Sequence, residues 1–79
     1  MTPTQCKMAR MGLGWLANDL AKASGLTRVT IARFESGHPM APSSIEKMRQ
    51  ALEDAGADFM HKYGKVGVAV PATDPQSLK

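Results

Sequence analysis

The segment Leu20-Ala21-Lys22-Ala23-Ser24-Gly25-Leu26-Thr27-Arg28-Val29-Thr30-Ile31-Ala32-Arg33-Phe34-Glu35-Ser36-Gly37 holds two short helices separated by a tight turn. Ser24-Gly25 stops the first, because a glycine just past a helix takes the left-handed conformation that turns the chain sharply. Thr27 suits the N-cap of a second helix running to Glu35, and Ser36-Gly37 ends it. Ile31 and Phe34 are the large apolar residues of that helix that point inward. At roughly 100° per residue, Arg28, Val29, Ala32 and Arg33 share a face about opposite to them. The apolar pair therefore anchors the helix while the other face stays free.

The flanks supply the rest of a helical core. Residues 15–23 carry Leu16, Leu20 and Ala23 on one side, with Asn18, Asp19 and Lys22 largely on the other. Before them, Thr2-Pro3 followed by Gln5 starts a helix: Thr2 caps, Pro3 suits the first helical position, and Gln5 reaches back to complete a capping box. Cys6, Ala9 and Leu13 form its buried stripe, Lys7 and Arg10 fall outside it, and Gly12 and Gly14 end it. After the segment, residues 38–42 form a loop with two prolines. Ser43 or Ser44 is the expected cap of a fourth helix with Ile45, Met48 and Leu52 on its inner face, closed by Gly56. Residues 57–60 and 66–70 are β-prone runs around a glycine-containing linker, which predicts a hairpin or two edge strands. From Pro71 onward a disordered end is expected.

Seventy-nine residues leave room for one domain, and so short a core rarely supplies more than ~3–5 kcal/mol without staples or self-association. Cys6 is the single cysteine, which excludes an internal disulfide, and with His38 and His61 it falls short of a four-ligand zinc site. No apolar run approaches the roughly 18 residues of a membrane span, and the N-terminal residues lack the layout of a secretory signal. A reducing, cytoplasmic setting without membrane contact is the expectation. The net charge of +3 is unevenly spread. Lys7, Arg10, Lys22, Arg28 and Arg33 stand against Asp19 and Glu35 in residues 1–37, whereas the contributions of the two later segments cancel. An acidic partner such as a phosphate backbone is drawn to the first half.

The free face of the third helix has matching chemistry. A major groove ~12 Å wide admits a helix, and arginines such as Arg28 and Arg33 can donate two parallel hydrogen bonds to guanine O6 and N7, worth ~1–3 kcal/mol of discrimination per good pair. Val29 and the Ala32 methyl suit thymine methyl groups, and Thr27 or Thr30 suits a base edge or a phosphate.

The small residue in the second helix, the glycine turn, the capping Thr27, the Thr30-Ile31-Ala32-Arg33-Phe34-Glu35 core and the closing Gly37, all in register, resemble the helix-turn-helix of Cro-like and phage-repressor-like (XRE) regulators. The likeness extends more loosely from Thr2 to about Phe59. It implies an all-α fold of four or five short helices, here with a short C-terminal β-hairpin or edge strand. Residues 1–60 would form the DNA-binding domain and residues 61–79 a strand followed by a flexible tail. The resemblance implies operator binding and transcriptional regulation, often repression, on double-stranded DNA. The positions matching base-reading residues are Thr27, Arg28, Val29 and Arg33, and those matching backbone contacts are Arg10, Ser36 and Ser44. Two departures stand out: Leu16-Ala17 replaces the Ser-Gln that commonly opens helix two, and residues 38–41 lack the permanent cations often found after the third helix. Fewer phosphate contacts and a shallower salt dependence are expected.

Other residues have plainer expectations. Glu35 lies near the core face and is expected in a salt bridge with a helix-one arginine rather than on a cytosine. Cys6 is expected as a core thiol, Trp15 as packing at the junction of the first two helices, and His38 and His61 as exposed. The methionines fit core or interface, with Met8 and Met11 able to form an outer patch. No phosphate-cradling loop, metal cluster or catalytic triad motif is present, so no catalysis, metal or cofactor is expected. A homodimer is expected from the small core and the β-prone end. A competing reading treats the helices as a scaffold, in the manner of an antitoxin, with the strands adding to a protein partner such as a toxin or to a second copy.

Overall fold

The computed structural model describes residues 1–72. Its first helix, α1 (Pro3–Gly12), starts where two side chains satisfy orphan amides. Thr2 Oγ1 accepts from the Gln5 N–H at 3.1 Å, and Gln5 Oε1 accepts from the Thr2 N–H at 3.0 Å, the expected capping box. Three helices follow: α2 (Ala17–Ser24), α3 (Arg28–Glu35) and α4 (Pro42–Asp54). A two-stranded antiparallel hairpin, β1 (Asp58–Lys62) and β2 (Lys65–Ala69), comes last. The described residues thus bear out four short helices with a C-terminal hairpin.

The core is built from one face of each helix. Cys6 and Ala9 come from α1, Leu20 and Ala21 from α2, Ile31 and Phe34 from α3, and Met48, Ala51 and Leu52 from α4. Two expectations are corrected. Leu16 and Ala23 do not join Leu20 in the buried side of α2: Leu16 is 71% exposed and Ala23 is exposed. Leu16 is the extended N-cap residue, outside helical periodicity, and at 3.6 residues per turn Ala17, Leu20, Ala21 and Ser24 form the inner stripe, with Ala23 well to its side. Neither Ser43 nor Ser44 caps α4; Ala41 is its N-cap, without a side-chain bond, and Pro42 takes the first helical position. Proline is suited to that place because its fixed φ is helical and the amide it lacks would be unpaired there anyway.

The hairpin turns on Tyr63-Gly64, both with positive φ (52° and 73°). That is the twist a two-residue hairpin loop requires, met without strain by glycine and at some cost by tyrosine. Phe59 lies opposite Val68, and both pack against the helical core. The strands arise within a residue or two of the β-prone runs. For the end beyond Pro71, the expectation of disorder concerns residues that from 73 on lie outside the described ones.

What sequence reasoning missed is the second task of Gln5. Its side chain is fully buried, and Nε2 donates to the carbonyls of Met60 at 3.1 Å and Gly67 at 3.2 Å, one on each strand. One amide therefore closes the first turn of α1 and ties down the hairpin. Gln5→Ala is expected to cost ~1–3 kcal/mol in urea unfolding and to accelerate amide exchange in β1 and β2 more than in α2–α4. Thr2→Ala, which removes the cap alone, should leave hairpin exchange near that of the parent.

Candidate nucleic-acid interface

The turn between α2 and α3 is set by Gly25, at φ 74° and ψ 18°. The Leu26 N–H donates to the Ala21 carbonyl at 3.0 Å, and the Leu26 side chain packs against the core. Chain direction thus changes within three residues while the backbone stays bonded. Nothing lies within 4 Å of where a Gly25 Cβ would stand, so the demand at this position is conformational, not steric.

Thr27 caps α3 as expected: its Oγ1 accepts from the Thr30 N–H at 3.2 Å and shares a hydrogen bond with the Thr30 hydroxyl at 2.9 Å. Ile31 is fully buried and Phe34 nearly so, whereas Val29 is 62% exposed. Arg28, Ala32 and Arg33 are also exposed, so the face opposite the anchors is open. Among the described residues, ion pairs join Arg10 to Glu35 and Arg49 to Glu46 and Glu53. Arg28 and Arg33 enter none of them, which leaves both guanidinium groups available to an outside anion. Ser36 is exposed just past α3, and Ser44 is half-buried in the first turn of α4. His38 is exposed, with its Nδ1 3.2 Å from the Arg33 carbonyl at the end of the same helix.

Arg10 is placed elsewhere. Its Nε and Nη2 donate to the two carboxylate oxygens of Glu35 at 3.0 and 2.9 Å, and Nη1 donates to the Trp15 carbonyl at 3.0 Å. Only about a tenth of either side chain is exposed, 11% for Arg10 and 10% for Glu35. A guanidinium committed on three sides and largely covered is a brace between α1 and the end of α3, not a group presented to a phosphate. The expected Glu35 salt bridge is thereby found, and it takes the arginine that the resemblance had set at the DNA backbone. Cys6, fully buried, donates from Sγ to Glu35 Oε2 at 3.3 Å. Burial first, then the charge of Glu35, pushes this thiol up to about 12, so it stays protonated and inert as a core residue. The bond to Glu35 in turn raises the Arg10 pKa and keeps the guanidinium charged.

Two helices joined by a glycine turn, the second anchored by two apolar residues and open on its basic face, define a helix-turn-helix DNA-binding domain. A family model described as Helix-turn-helix, of the Cro/C1 type, matches residues 7–53, more than half of the chain. The chain belongs to this XRE-like family. The matched span holds all of α2 and α3 and most of α1 and α4, and it ends before the hairpin. Comparison with curated proteins found no match. No described helix is long and apolar enough to cross a membrane.

Removing one partner of the covered ion pair leaves the other charged and poorly solvated. Glu35→Ala is therefore expected to cost about 3 kcal/mol in urea unfolding. Arg10→Ala should cost a similar amount, and the double variant should lose much less than the two losses combined. Strict additivity would show that the pair carries no coupling.

Proposed function

We propose that the protein is a sequence-specific transcriptional regulator that lays α3 in the major groove of double-stranded DNA, acts as a homodimer in the cytoplasm, and represses the genes it binds. The observation that supports this is the open face of α3: two unpaired arginines and a largely exposed valine on a helix whose other side is locked by Ile31 and Phe34. In this reading Arg28 and Arg33 each meet a guanine through paired hydrogen bonds, and Val29 covers a thymine methyl. When Thr30 donates in the hydroxyl pair, the Thr27 O–H is left to reach an adjacent base edge. Ser36 and Ser44 contact phosphate oxygens, which position the helix without reading sequence. Repression follows from occupancy, since a dimer seated on an operator overlapping a promoter excludes the polymerase.

Selection of bound duplexes from a random pool, followed by anisotropy titration at fixed salt, tests the reading. The selected site should be roughly palindromic, as the symmetry of a dimer requires. Replacing Arg28 and Arg33 together by alanine removes two base-reading pairs at ~1–3 kcal/mol each, so preference for the selected site should fall at least about thirtyfold. A double variant that folds and keeps its selectivity would overturn the assignment of α3 as the reading helix.

A further inference from the structure

The hairpin lies beyond the family match, and one of its strands is an open edge. β2 runs along α1, while β1 has β2 as its one strand neighbour among the described residues. Because Lys62 and Lys65 flank a two-residue turn, they form a hydrogen-bonded pair. The alternation that follows turns the backbone groups of Lys62, Met60 and Asp58 toward β2 and those of Phe59 and His61 toward the open side. Unpaired edges of this kind template the addition of another strand.

We propose that β1 pairs antiparallel with β1 of a second copy, about a two-fold axis through Met60, so that two hairpins form one four-stranded sheet. This deepens the homodimer in the function proposed above by naming its interface and register. Hydrogen bonding allows only registers that set outward-facing residues opposite one another, centred on Phe59, Met60 or His61. Charge then chooses among them. Centring on Met60 sets Asp58 opposite Lys62 of the second copy, twice by symmetry, and sets Phe59 opposite His61. Centring on Phe59 sets Asp58 opposite Met60, and centring on His61 sets Lys62 opposite Met60; neither joins an acid to a base.

The monomer also carries a charge conflict that this pairing relieves. Lys62 stands opposite Lys65 in the hairpin register, and directly opposed like charges destabilise a strand pair. Among the described residues Lys62 enters no ion pair; its ammonium stands 5.4 Å from the centre of the Tyr63 ring. Asp58 of a second copy, on the same face of the sheet, supplies the missing counter-charge. Met60, 47% exposed, borders a shallow groove of about 400 Å³ and at the axis covers its own counterpart.

Sedimentation of the full chain and its charge variants, with circular dichroism to verify folding, tests the register. The parent should sediment as a dimer. Lys62→Glu, which removes the clash with Lys65 and so folds at least as well, should sediment as a monomer because it faces Asp58 of its copy, and Asp58→Lys should do so because it faces Lys62. An equimolar mixture of these two variants should dimerise, since each acid then meets a base, and so should the double swap Asp58→Lys with Lys62→Glu. A monomeric parent at the highest attainable concentration, or variants that all dimerise like the parent, would overturn the pairing. A monomer that still selects DNA through Arg28 and Arg33 would refute the strand interface while leaving the reading of α3 intact.

Discussion

An eight-residue helix has almost no stability of its own in water, because nucleation costs more than two turns return. α3 is such a helix, and it is also the one that must present an open face. Its shape therefore depends on the burial of Ile31 and Phe34 against the other helices, with Leu26 tucked in at the turn before it. Burying more of α3 would steady it further and cover Arg28, Val29, Ala32 and Arg33, which are now exposed. The side chains sort accordingly: the apolar bulk sits on one side, and on the other are two arginines with a valine and an alanine small enough to enter a groove.

Two polar ties complete what the apolar anchors begin. Arg10 and Glu35 hold the C-terminal end of α3 to α1, and Gln5 holds the hairpin to the start of α1. Both are covered, and both are satisfied; no buried side-chain nitrogen or oxygen among the described residues lacks a partner. Satisfaction is what makes them tolerable in a core this small, since a covered polar group without partners costs more than the same group packed as hydrocarbon. They also supply direction, which apolar burial lacks, and in the proposed reading the tilt of α3 decides which bases it meets.

The difference between what sequence could and could not disclose follows contact range. The capping box of Thr2 and Gln5, the Thr27 cap and the left-handed Gly25 are settled within three or four residues, and each was found where its local chemistry placed it. The open face of α3 was readable for the same reason, since helical geometry alone separates Arg28 and Arg33 from Ile31 and Phe34. Gln5 bonds across 55 and 62 residues to the hairpin, and no local signal marks that; a polar residue inside an apolar stripe, next to Cys6, was the available hint. Arg10 was foreseen both as a partner of Glu35 and as a phosphate contact, and only the covered geometry shows that one guanidinium serves the first. For α4, Pro42 outcompeted the serines because a fixed backbone angle acts before a side-chain cap can.

α1 leaves Lys7 exposed but commits Arg10 to Glu35, and it bears both ties. Gln5 and Arg10 stand five residues apart on one helix, so the hairpin and the end of α3 are fixed to opposite ends of the same short rod. In the proposed dimer joined through its hairpins, the distance between the two copies of α3 would be transmitted through α1 and the hairpin, which lies outside the family match. In that dimer, loss of the Gln5 tie would free the hairpin from α1 and release the spacing between the two helix-turn-helix units. Operator spacing would there be a property of the proposed pair, and single-site contact a property of α3. In the proposed dimer, residues remote from α3, Gln5 above all, would bear on which DNA is accepted as well as on folding.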